Sequence, residues 1–123
     1  MVYDTGVLIA ADRNARHVWA DHRVRLEAGI IPAVPAPVVA QASRSPAQVQ
    51  LRRLLRGCDV IALTESGAHA SGHLRGRAGT SDITDATVAQ TAADLHADVL
   101  TSDPDDIRRL LQAARSASRI ITV

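Results

Sequence analysis

An α/β fold around a mostly parallel sheet is what this 123-residue chain predicts. Short β-branched runs alternate with longer Ala/Leu/Arg segments up to the last residue, which is the pattern of β-α-β units. The length suits one domain spanning residues 1–123, and a domain of that size buries roughly two-thirds of its unfolded surface without a disulfide or structural metal. Phe is absent and Tyr3 and Trp19 are the only aromatics, so the core must be assembled from Ala, Val, Leu and Ile.

The elements follow in order. Val2–Tyr3 reads as a first strand ending at Asp4, then Thr5–Ala11 and Ala15–Glu27 as helices. Ile30–Val34 is the next strand, after which Pro32, Pro35 and Pro37 stop regular structure and start a helix over Pro37–Ala42, because proline fixes φ and is tolerated in a first turn. A helix over Ala47–Leu55 leads to a strand at Val60–Leu63, and Glu65–Leu74 is a helix that Gly72, Gly76 and Gly79 fray into a loop. Those glycines follow no strand, so they are not a phosphate-binding fingerprint. The helix Ile83–His96 carries Val88, Ala89, Ala92 and Leu95 as its apolar stripe, and helical spacing extends that stripe back to Asp85. Strands at Val99–Thr101 and Ile120–Val123 flank a last helix, Pro104–Ala114.

Composition excludes several classes. The formal net charge is +1, all 14 basic residues are Arg, and 11 of the 13 acids are Asp, so bulk electrostatics do not recruit nucleic acid and any RNA contact needs a local Arg patch. Cys58 is the only cysteine, which rules out a disulfide framework and a thiolate metal cluster and makes a reducing, cytoplasmic setting the default. The N-terminal apolar run lacks a basic region and is broken by Asp4 and Asp12, so neither a signal peptide nor a membrane span is expected.

The distribution of Asp is the informative feature. Asp4 and Asp103 fall at the carboxyl ends of strands, where open α/β sheets place their sites, and Asp85 sits on a core-facing stripe with Asp82 three residues before it. If the first and fourth strands are neighbours, these carboxylates converge. Like charges at close range raise one another's pKa and a buried unpaired anion is costly, so a hard cation is the usual solution. Mg²⁺ fits an all-oxygen donor set, and the chemistry implied is phosphoester hydrolysis. Capping is the competing explanation: Asp4, Asp82 and Asp103 each precede a helix, Asp103-Pro104 suits N-cap and N1, and Asp85 and Asp106 sit at N3.

Three segments carry a family resemblance: Val2-Tyr3-Asp4-Thr5-Gly6-Val7-Leu8-Ile9-Ala10, Thr80-Ser81-Asp82-Ile83-Thr84-Asp85-Ala86, and Val99-Leu100-Thr101-Ser102-Asp103-Pro104-Asp105-Asp106. In this order and spacing they resemble PIN-domain proteins, in particular VapC-type toxins of bacterial toxin–antitoxin pairs, over essentially the whole chain. The resemblance implies a three-layer α/β/α sandwich and a Mg²⁺- or Mn²⁺-dependent endoribonuclease, with RNA as substrate, a cognate antitoxin and a homodimer as expected partners. By position Asp4, Asp85 and Asp103 match the family's metal-binding acids, with Asp82 and Asp106 as helpers that orient the attacking water. The family's fourth acid, a Glu, falls on Gln41, which keeps the shape of Glu and is expected to complete the catalytic shell as a neutral member, bringing no charge to a divalent cation. Arg44, three residues on, could hold a substrate phosphate, although an exposed Arg at a helix end is more often only solvated; Thr5 and Ser102, beside the matched acids, are the other candidates for substrate contact. Gln41 also favours an alternative, a PIN-like domain weakened in catalysis that binds RNA or a protein.

The remaining candidates read as ordinary. Arg52, Arg53, Arg56, Arg75 and Arg77 could track an RNA backbone, yet charge runs on amphipathic helices are usually solvated faces and there is almost no aromatic surface for base stacking. His69 and His73, four apart on one helix face, could bind zinc, but no metalloprotease Glu accompanies them and they read as exposed histidines. Ser66, Ser71 and Ser81 lack a nucleophile elbow, and Cys58 has no base in view.

Overall fold

Five strands and seven helices alternate along the computed structural model, which describes residues 1–80 and 82–123; Ser81, in the second of the resembling segments, lies outside the described residues. The strands are β1 (Val2–Tyr3), β2 (Ala33–Pro35), β3 (Asp59–Ile61), β4 (Val99–Thr101) and β5 (Ile120–Thr122). The helices are α1 (Thr5–Asp12), α2 (Arg16–Glu27), α3 (Ala36–Ala42), α4 (Val49–Leu55), α5 (Glu65–Ala78), α6 (Ile83–Leu95) and α7 (Pro104–Ala113). All strand pairs are parallel and the sheet order is β3-β2-β1-β4-β5.

This order determines the layers. From β1 the chain steps to β2 and β3 in one direction, then crosses back to β4 and β5 in the other. Right-handed crossovers put the helices of opposite steps on opposite faces of a sheet. Accordingly α1 packs with α2 and α4, whereas α5, α6 and α7 pack on one another. Parallel strands covered on both faces are apolar without alternation, as the fully buried pairs Val2-Tyr3 and Val99-Leu100 show. The core is aliphatic, built on Leu8, Val34, Leu54, Leu74, Val88, Ile107 and Leu110, and Tyr3 is its one fully buried aromatic among the described residues.

Several boundaries differ from the sequence expectation. The second strand begins at Ala33 and not at Ile30, because the Ile30 N–H is donated to the Arg25 carbonyl (2.9 Å) to close α2, with Gly29 at φ 81° making the left-handed turn. Pro35 ends β2 inside the sheet, a position expected to be past it. The third strand stops at Ile61, which pairs with Pro35, the last residue of β2 before α3. The fourth helix starts at Val49 and not Ala47, since the Gln48 side chain holds the preceding turn through the Arg44 and Ser45 N–H groups. The helix expected to fray after Leu74 continues to Ala78. Gly72 and Gly76 each cost an α-helix about 1 kcal/mol relative to Ala, but buried Ser71 and Leu74 anchor the face, and the left-handed stop comes at Gly79 (φ 72°). On α6, Val88, Ala89 and Ala92 are buried as the stripe predicts, whereas Leu95 is exposed next to the left-handed His96 cap. No helix among the described residues is long and apolar enough to cross a membrane.

Candidate active site

The strand order reverses at β1 and β4, which are direct neighbours with Val2 opposite Val99 and Tyr3 opposite Leu100. A crevice beyond the carboxyl ends of the strands at such a switch point is where open α/β sheets bind ligands. Asp4 leaves β1 at this point and Ser102-Asp103 leaves β4, so residues nearly a hundred positions apart meet.

Asp4 is buried and tied on both oxygens. Its Oδ1 accepts the Thr5 N–H (2.7 Å), which caps α1, and its Oδ2 accepts the Thr101 hydroxyl (2.6 Å). The same Thr101 oxygen accepts the Asp103 N–H at 3.0 Å, so one fully buried hydroxyl couples the ends of β1 and β4. Burial pushes the Asp4 carboxyl up, the bonds from Thr101 and Thr5 pull it down, and the Asp82 and Asp103 charges add to the rise.

Asp85 enters from the first turn of α6. Its backbone N–H is capped by Asp82 Oδ1 (3.0 Å), and its side chain is 8% exposed. Burial, followed by the charges of Asp4, Asp82, Asp103 and Asp106, pushes this carboxyl up to about 7. One oxygen each from Asp85, Asp103 and Asp106 lies within 4.8 Å of the others. Asp103 occupies the N-cap of α7 yet makes no side-chain cap bond, and Pro104 at N1 has no N–H to satisfy. The starts of α6 and α7 thus both direct carboxylates, and the positive ends of their helix dipoles, at one point.

This donor set is chemically suited to a hard divalent cation. Two oxygens on one Mg²⁺ are separated by at most about 4.2 Å, so a span of 4.8 Å accommodates a partly hydrated ion held directly by one or two carboxylates. Asp106, which sequence placed as a helper, belongs to the tight group, while Asp4 stands beside it and Asp82 serves as a cap.

The remaining expected residues divide. Thr5, 9% exposed, donates its hydroxyl to Gln41 Oε1 at 2.6 Å, which ties α3 to the start of α1. Ser102 packs on Gly6: a Cβ at position 6 would stand 2.8 Å from the Ser102 Cβ, so only glycine lets α1 approach the β4–α7 turn this closely. Arg44 is held by Asp12 (2.7 Å) at the opposite end of α1 from Asp4, where Gln48 also binds Asp12. Sequence reasoning passed over Thr101 and Gly6 as site residues. Their signal was position alone: a hydroxyl two residues before Asp103, and a glycine two residues after Asp4.

Elsewhere His69 and His73 are exposed, and His69 lies 3.7 Å from Glu65. Arg53 covers the Trp19 ring at 4.9 Å, and the Cys58 thiol, pushed up to about 12 chiefly by burial, donates to the Leu54 carbonyl. Neither is equipped for nucleophilic chemistry.

No protein-family model matches the chain, and no curated protein matches it in sequence. Solved structures do. A chain of VapBC2 from Rickettsia felis, bound to a DNA fragment from its promoter, superposes with a TM-score of 0.71 at 16% identity, covering 100% of this chain and 99% of that one. A chain of a toxin–antitoxin complex from Klebsiella pneumoniae gives 0.66 at 21% identity over 85% of this chain and 88% of that one. A chain of FitAB bound to an IR36 DNA fragment gives 0.62 at 17% identity, over 98% and 93%. At these identities the likeness is one of fold: the chain is a PIN-like three-layer α/β/α sandwich about a parallel sheet.

Proposed function

We propose that this protein is a divalent-cation-dependent endoribonuclease, the toxin of a toxin–antitoxin pair restrained by a cognate antitoxin protein. The observation that carries the reading is the convergence of Asp85, Asp103 and Asp106 within 4.8 Å, beside Asp4, at the switch point of the sheet. The fold shared with toxin–antitoxin structures supports the same reading.

Asp85 and Asp103 would hold Mg²⁺ or Mn²⁺, with Asp106 completing the group and Asp4 adding charge from the end of β1. When bound, such an ion lowers the pKa of a water and neutralises charge developing on a phosphodiester. The protein's own residues supply placement. Thr101 ties Asp4 to the Asp103 backbone, Asp82 holds the first turn of α6 so that Asp85 faces inward, and partly exposed Asp106 would orient the attacking water.

Asp85→Asn tests the site. It keeps the shape and removes the charge, so Mn²⁺-dependent RNA cleavage falls by at least about 100-fold, or about 2.7 kcal/mol of barrier, and Mn²⁺ no longer raises the melting temperature. A variant that cuts as fast as wild type removes the assignment. Wild type that binds RNA but cuts none under any divalent cation selects the alternative, a PIN-like binding module.

A further inference from the structure

Gln41 is expected as a neutral member of the catalytic shell, and its geometry points to a different role. The 2.6 Å separation between Thr5 Oγ1 and Gln41 Oε1 belongs to the O–H···O range and is short for N–H···O, so the hydroxyl donates and the amide oxygen accepts. Thr5 is nearly buried and its own N–H is committed to Asp4, so the hydroxyl is anchored to the acid end of β1. Gln41 itself is exposed, and its Nε2 has no partner among the described residues. The amide therefore turns its oxygen toward the protein and leaves two N–H donors to solvent, one residue away from Asp4 along a hydrogen-bonded path.

The site's charge makes a donor here useful. Asp4, Asp82, Asp85, Asp103 and Asp106 confront a polyanionic substrate, and the guanidinium nearest in sequence, Arg44, is spent on Asp12. A neutral amide can bind a phosphate oxygen without adding to that repulsion.

Resting on the ribonuclease reading, we propose that Gln41 is a substrate-binding residue that donates to a backbone phosphate oxygen of RNA, and does not ligate the metal, with Thr5 as the positioning residue that sets the amide's orientation. Single-stranded RNA is titrated in EDTA at low salt, where no cleavage occurs, and Mn²⁺ binding is measured separately without RNA. Gln41→Ala weakens RNA binding about three- to tenfold, the value of one hydrogen bond, and leaves Mn²⁺ affinity unchanged. Gln41→Glu weakens RNA binding further and tightens Mn²⁺, because it adds an anion. Thr5→Val lowers RNA affinity in the same direction as Gln41→Ala. Gln41→Ala that loses Mn²⁺ affinity with RNA binding intact would make the amide oxygen a ligand and overturn the proposal. Unaltered RNA binding in all three variants overturns it too. Mn²⁺-dependent cleavage by wild type separates these failures from failure of the ribonuclease reading, which that assay tests alone.

Discussion

The beginnings of α6 and α7 obey one sequence rule and do different work. Asp82-Ile83-Thr84-Asp85 and Asp103-Pro104-Asp105-Asp106 each set an Asp at the N-cap and another at N3. At α6 the N-cap carboxylate takes the N3 backbone N–H, and Asp85 is driven inward behind it. At α7 the N-cap carboxylate makes no cap bond, so Asp103 and Asp106 both keep their oxygens for the cluster. Capping therefore accounts for Asp82 and Asp4 but not for the placement of Asp103 and Asp106. The fold assigns capping to Asp82 and leaves Asp103 free, while Asp4 caps α1 and still charges the site.

Removing each N-cap in turn tests that contrast most severely. Asp103→Ala lowers Mn²⁺-dependent cleavage by about 100-fold or more with no loss of stability in urea, whereas Asp82→Ala costs about 1 kcal/mol and keeps cleavage within about tenfold of wild type. Equal effects on both measurements would erase the distinction. The close approach that brings the α7 start to α1 is the next target. Gly6→Ala forces the Ser102 Cβ away and destabilises by about 1 to 3 kcal/mol, although alanine favours the helix, and Ser102→Gly in the same chain restores stability. Failure of that rescue would place the strain elsewhere.

The acid cluster also sets a pH dependence with a definite sign. The Asp85 carboxyl rises from 3.8 unfolded to about 7 folded, so the fold favours its neutral form; that contribution is complete below 3.8 and is lost as pH rises through about 7. Without metal, Asp85→Asn should therefore melt increasingly above wild type from about pH 4 to about pH 7, by about 10 °C or more at pH 7 and by a constant margin above it, and saturating Mn²⁺ should close the gap by stabilising wild type alone. A gap independent of pH would mean that Asp85 is ionised throughout. The smallest effect is expected at Arg44→Ala, which removes an exposed ion pair worth under about 1 kcal/mol and leaves RNA affinity within twofold. A larger loss of affinity would restore Arg44 as a phosphate contact.

Much of this was legible in the residues, for local reasons. Strand ends at Asp4 and Asp103 follow from short β-branched runs that stop at an acid, and the inward face of Asp85 follows from its spacing to Val88, Ala89 and Ala92. The errors were local too, arising where one group was engaged by a neighbour that no pattern names. The Ile30 N–H went to the Arg25 carbonyl, and the glycines of α5 were overruled by the packing of Ser71 and Leu74. Thr101, Gly6 and the pairing of Arg44 with Asp12 were out of reach because each depends on a contact between distant segments.

The sequence by itself determined the alternation of elements, the aliphatic core and the set of acids that end strands and begin helices, because these depend on periodicity and on what each residue does to its own backbone. Only the tertiary structure decided which acids share a point in space. Placing β4 beside β1 creates the switch point, and the hydroxyl of Thr101 and the bare backbone of Gly6 set how closely the two strand ends approach. Electrostatic coupling falls with distance through a low-dielectric interior, so the approach of these elements, and not the number of Asp residues in the chain, makes a cluster of Asp85, Asp103 and Asp106.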